Sequence, residues 1–197
     1  MAYKEKAPLV IAEGGTNAIT MATSTGIVKY DGTSLVTSSA AKIDSSNRMT
    51  NSSQPAFFAY LSASVTNVTG DGTIYQLGTS PNPLTVLFDR GSNFNTNGTF
   101  TAPVTGIYFL STYILCQNLT ATMQTNMGIL TTLSPYFSSF GGSFTGNNTL
   151  QITVLASMTA GDTAIAQVAV NNGTKTAGVF GDGVGDLRTY FCGYLVC

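Results

Sequence analysis

The chain has 197 residues, a net charge of -1 and no histidine, with 43% hydrophobic but only 9% charged residues. Soluble domains usually carry about 25% charge, so a surface this neutral points to burial between subunits. There is no basic stripe, which excludes the footprint of a nucleic-acid binder. No stretch approaches the roughly 18 apolar residues of a membrane span, so no membrane insertion is expected. The lack of histidine removes Ser-His and Cys-His nucleophiles and His-ligated metals.

Charges concentrate at the N-terminus. Lys4, Glu5, Lys6, Glu13, Lys29, Asp31, Lys42, Asp44 and Arg48 all lie in residues 1–50. The apolar run 7–11, broken by Pro8, is too short for a signal-peptide core, so export by the general secretory route is not expected. Residues 1–54 read as an extended, β-poor arm or stalk. Its short segments around 26–32 and 33–37 favour small strands joined by a turn at Asp31-Gly32. The polar stretch 45–54 reads as a hinge.

From Pro55 onward the pattern is all-β. Strands are expected at 56–62, 73–77, 84–88, 99–102, 107–116, 127–133, 136–140, 149–156, 163–170 and 187–197. Turns fall at Gly70-Asp71-Gly72, at 81–83, at 160–162 and at Asn171-Asn172-Gly173. About ten short strands at such intervals imply a sandwich or barrel. Alternate residues of 107–116 can face opposite sides, toward a core and toward a neighbour. Cys116, Cys192 and Cys197 are odd in number and widely spaced, which reads as free thiols, with the first two buried.

Three blocks carry a family resemblance. In FDRGSNFNTNGTFTAPVTGIYF, residues 88–109, Phe100, Pro103, Gly106 and Tyr108 match in spacing a signature Phe-Thr-x-Pro-x-x-Gly-x-Tyr. MTAGD at 158–162 precedes an alternating strand. TYFCGYLV at 189–196 places Phe191, Gly193, Tyr194 and Leu195 as in a closing strand. The opening PAFFAY at 55–60 fits a first strand. Residues 55–197 therefore resemble the C1q-like, tumour-necrosis-factor-like trimeric head. The resemblance implies a jelly-roll β-sandwich and a homotrimer, with these eight residues as its fold and trimer signature. No collagen repeat precedes the head.

The arm segments EGGTNAIT at 13–20 and YDGTSLVT at 30–37 look like short motifs of phage and large-virus fibre proteins. The expectation is a virion fibre or spike subunit on the virion surface. Its arm would dock to other virion proteins, and its head would meet a host glycan or protein. A cellular C1q-like adhesin on a bacterial or spore surface is the alternative. Asp182 and Asp186 sit in GDGVGD, a loop that could hold Ca²⁺ or simply be solvent-exposed; no other cofactor is expected. The same pair could be proposed as glycosidase carboxylates, but with no tryptophan to line a pocket, no enzyme activity is expected. The Asn-x-Ser/Thr triplets at Asn67, Asn97, Asn118, Asn147 and Asn172 read as composition. Candidate receptor loops are 67–73, 141–148 and 172–185, with Asn67, Asp71, Asn147, Asn148, Asn172 and Asp182 as their polar groups.

Overall fold

A computed structural model describes residues 26–30, 35–43, 45–120, 123–143, 145–183 and 187–197. The chain divides into two compact units, residues 1–52 and 53–197.

In the first unit, β1 (Gly26–Tyr30), β2 (Leu35–Ile43) and β3 (Met49–Asn51) form an antiparallel sheet in that order. Tyr30 stands opposite Leu35; the turn expected at Asp31-Gly32 lies outside the described residues. Two features differ from the sequence reading. β2 extends to Ile43, and β3 pairs with it inside the stretch read as a hinge, with Ala41 opposite Asn51 and Ile43 opposite Met49. Backbone pairing needs no apolar core, so the Ser/Thr/Ala composition that hides these strands does not prevent them.

The second unit is a jelly-roll sandwich of two antiparallel sheets. The first sheet contains β4 (Ala56–Tyr60), β5 (Val65–Thr69), β7 (Thr85–Arg90), β10 (Gly106–Leu119), β13 (Gly146–Met158), β15 (Ala177–Val179) and β16 (Tyr190–Leu195). The second runs β12 (Pro135–Gly142), β11 (Met123–Thr131), β14 (Thr163–Asn171), β9 (Thr99–Thr101), β8 (Phe94–Asn95). Strand β6 (Asp71–Gln76) lies against β14.

The 14-residue strand β10 organises the first sheet. Along one edge it pairs with β13, from Gly106 opposite Met158 to Leu119 opposite Gly146. Its other edge is shared: Tyr108–Tyr113 pair with β16, then Cys116 and Gln117 pair with β15. At the switch the Leu115 N–H donates to the buried Thr189 hydroxyl at 3.2 Å, and that hydroxyl donates to the Phe180 carbonyl at 2.6 Å. The side chain thus bridges the two partners where no strand is present.

Period-two alternation sends Tyr108, Leu110, Thr112, Ile114 and Cys116 into the core, all fully buried. Small residues of β14 (Ala164, Ala166, Val168 and Val170) face them from the second sheet. Phe57 of β4 is the hub. It stacks on Phe94 and on Phe100, both at 4.7 Å, and meets the Phe191 ring edge-on at 5.0 Å. Phe100 also approaches Tyr108 at 5.5 Å. The two sheets are joined through this cluster. Replacing Phe57 with alanine is expected to cost about 3–5 kcal/mol of unfolding free energy, read as a lower denaturant midpoint at unchanged slope.

Candidate functional site

Two surfaces of the head are distinctive. The first is the outer face of the first sheet. The residues of β10 that point away from the core are Phe109, Ser111, Tyr113 and Leu115. The register places Leu155 and Thr153 of β13 beside them on one flank, and Tyr194, Cys192 and Tyr190 of β16 on the other. Phe58 of β4 lies opposite Cys192, and Phe88 of β7 opposite Phe58.

These side chains stack across strands. Phe109 meets Tyr194 at 5.0 Å, Tyr113 meets Tyr190 at 5.7 Å, and Phe58 meets Tyr190 at 5.0 Å. The Ser111 and Thr153 hydroxyls bond each other at 2.8 Å. Leu155 remains 64% exposed and Tyr194 45%. Burial raises the Tyr190 phenol and pushes the Cys192 thiol up to about 11, so both stay neutral at physiological pH. Among the face-lining residues, charge appears only at its margin, on Arg90.

The second surface is one end of the sandwich. Met123 opposite Gly142, Leu119 opposite Gly146 and Gln124 opposite Asn171 set the adjoining ends of β10, β11, β12, β13 and β14 here. The β5–β6 turn joins them, since the Gly70 N–H donates to the Val170 carbonyl at 3.0 Å and the Asn172 N–H to the Gly70 carbonyl at 2.7 Å. Beneath them the buried Thr69 hydroxyl accepts the Val170 N–H at 2.8 Å and donates to the Thr73 carbonyl at 2.6 Å.

Of the polar residues expected on receptor loops, Asn67, Asp71, Asn147, Asn148 and Asn172 come to this end. Their settings differ from the sequence reading. Asn67 is exposed inside β5 with φ 57°, and Asn147 and Asn148 belong to β13, Asn148 opposite Cys116. Gly141 is likewise a strand residue of β12.

The four described carboxylates of the head serve their own turns. Thr73 bonds the Asp71 carboxyl and holds it below its ordinary range. Asp89 accepts the Asn93 and Phe94 N–H groups at 3.1 and 3.0 Å. Asp162 accepts the Thr159 N–H at 2.8 Å, and Asp182 that of Gly183 at 2.8 Å. Asp186, the other half of the calcium candidate, lies outside the described residues. Among the described residues no group of three or more acidic or cysteine side chains is placed to hold a metal.

The signature residues fall into distinct roles. Phe100, Tyr108 and Phe191 are core, and the Tyr108 hydroxyl donates to the Val104 carbonyl at 2.8 Å. Pro103 is exposed in the turn before β10. The sequence suggests that Gly106 permits a sharp turn, but its φ is not left-handed. A Cβ there would lie 2.4 Å from the Cys197 carbonyl oxygen, so glycine is required by the close approach of the last residue. Gly193 faces inward opposite Leu110, Leu195 packs on the core edge, and Tyr194 points outward into the aromatic face. All three cysteines are free; Cys116 is buried as expected, whereas Cys192 faces outward.

The head is similar to solved C1q- and TNF-type head domains. The globular domain of zebrafish complement 1qA is 18% identical with a TM-score of 0.45, covering 73% of this chain and 98% of that one. Murine APRIL is 14% identical with a TM-score of 0.49, over 73% and 99%. Eiger TNF from S. frugiperda is 12% identical with a TM-score of 0.47, over 73% and 93%. No protein-family model and no curated protein matches the chain.

The thiols give a direct probe of the aromatic face. Alkylation requires the thiolate, and Cys192 is pushed up to about 11 while Cys116 is pushed up to about 12. At pH 8 iodoacetamide should modify the exposed Cys197 first and leave Cys192 nearly untouched. In the separate subunit the Cys192 rate should rise about tenfold per pH unit toward pH 10, as mass spectrometry of the peptides would show.

Proposed function

We propose that the chain is the subunit of a homotrimeric, non-enzymatic attachment protein of a virion. In this reading the N-terminal unit docks on the particle and the C1q-like head is displayed toward the host surface. The observation that carries the assembly is the outer face of the first sheet. Phe58, Phe88, Phe109, Tyr113, Leu155, Tyr190 and Tyr194 lie together there with no charge among them. Contiguous apolar patches beyond a few hundred Å² are uncommon on monomers and mark interaction sites. Aromatic enrichment and depletion of charge are the marks of an interface core.

Two different patches that meet head to tail close a ring, and the family resemblance favours three members. A ring of three would display three copies of each loop end around one axis. Weak individual sites then suffice, because linkage raises avidity by about 10²- to 10⁴-fold. The fibre role is favoured by the arm's motifs and by the scarcity of charge, which suits a subunit built into a larger assembly.

Light scattering on the full chain should give three times 20.5 kDa. The double substitution Leu155→Arg and Tyr194→Arg buries unpaired charge in the contact and should yield soluble monomer at micromolar concentration. Wild-type protein that is already a monomer would overturn the assembly. The attachment role has its own test: the purified trimer, in excess, should block adsorption of the parent particle to its host. Failure to compete at saturation would leave an architectural subunit.

A further inference from the structure

The second sheet also has an outer face, on the opposite side of the sandwich from the aromatic assembly face. Register across three of its strands lines up two neighbouring rows. In one, Phe137 of β12 and Gln167 of β14 flank Gly128 of β11; in the other, Ser139 and Ala169 flank Asn126. With Gly72 and Ile74 of β6 as a wall, the rows line a groove of about 440 Å³. Small-ligand sites occupy roughly 300–1,000 Å³.

Gly128 shapes the floor. A Cβ there would lie 2.8 Å from the Cδ1 and Cε1 atoms of Phe137. The ring therefore settles across the glycine into the space a side chain would fill. The ring lies over the sheet and stays 57% exposed at the groove. Beside it the Asn126 and Gln167 amides and the Ser139 hydroxyl make no hydrogen bond to a described residue. No charged side chain lines the groove.

We propose that this groove binds a neutral saccharide. The negative π-face of a fixed aromatic ring attracts weakly positive C–H groups, which an apolar face of a pyranose presents in a sheet. Amide and hydroxyl groups both donate and accept, matching sugar hydroxyls that do the same. Anionic ligands call for Arg or Lys forks, which are missing here, so sialylated and sulfated glycans are disfavoured. The groove belongs to the second sheet, apart from the aromatic face of the first. The proposal deepens the reading of the head as an attachment module by naming its ligand class, and rests on that reading for its biological meaning.

The test uses the full chain, labelled and applied to an array of neutral, sialylated and sulfated oligosaccharides, with the best neutral ligand then titrated by calorimetry. Neutral glycans should be retained. Phe137→Ala should weaken binding at least about tenfold, Phe137→Tyr should keep it, and Gln167→Ala and Asn126→Ala should each weaken it. Melting temperature and trimer mass are measured on every variant, and the two surface amide variants decide the matter if Phe137→Ala does not fold. Retention of charged glycans alone, of none, or of neutral glycans equally by wild type and the variants would overturn the site. Those results leave the particle-competition assay free to succeed. Conversely, Phe137-dependent sugar binding without competition would keep the site and remove the attachment role.

Discussion

The head depends on one constraint: β10 is paired along both edges, with one face turned into the core. A strand with free edges can slip, and a slip of one residue would exchange its two faces. Here thirteen-residue β13 fixes one edge and β16 with β15 fixes the other. Tyr108, Leu110, Ile114 and Cys116 are thereby committed to the core. Each large apolar side chain buried contributes roughly 1.5–3 kcal/mol. The same pairing obliges Phe109 and Tyr113 to face outward, where they stay half-buried, Phe109 beside Leu155 and Tyr194. Core and outer aromatic face are therefore two consequences of a single register.

The change of partner along β10 has a cost that the sequence meets with hydroxyls. Between Tyr113 and Cys116 neither β16 nor β15 continues the ladder, and an orphaned buried N–H would cost about 1–3 kcal/mol. Thr189 fills that place with a side chain in lieu of a backbone group. Thr69 does similar work at the loop end, and the Thr112 hydroxyl donates to the Tyr190 carbonyl at 2.7 Å. The high threonine content thus serves the interior as well as the surface: these residues keep β-branched shape while closing gaps in the hydrogen bonding.

Much of this was legible in sequence because it is local. The alternation of residues 107–116, the aromatic spacing through Phe100 and Tyr108 and the Asp-Gly turns each depend on neighbours a few positions away. What escaped is what depends on pairing between distant segments. Strand β5, VTNVT, is polar and short, and β15 has three residues; both exist because β10 and each other's backbones complete them. Gly106 reads as a turn residue until Cys197 is seen lying against it. The gathering of Asn67, Asn147 and Asn172 at one end follows from strand order, and the groove follows from the row Phe137, Gly128, Gln167, whose members are scattered in the chain.

The distribution of charge separates the surfaces the fold creates. Asp71, Asp162, Lys175 and Asp182 lie in turns or at strand ends, and Arg188 stacks over Phe180 at 5.5 Å. Asp89 and Arg90, the exceptions within a strand, belong to edge strand β7. Both broad sheet faces are therefore nearly free of charge, but they differ in kind. The first is crowded with stacked aromatics and has its Ser111 and Thr153 hydroxyls bonded to each other, so it offers shape and apolar area. The second sets one fixed ring among amides with unused bonding capacity, so it offers direction. A surface of the first kind is suited to a permanent contact between copies, where desolvation is large and geometry repeats. A surface of the second kind suits a small polar ligand that must enter and leave, and the topology has put the two on opposite sides of one sandwich.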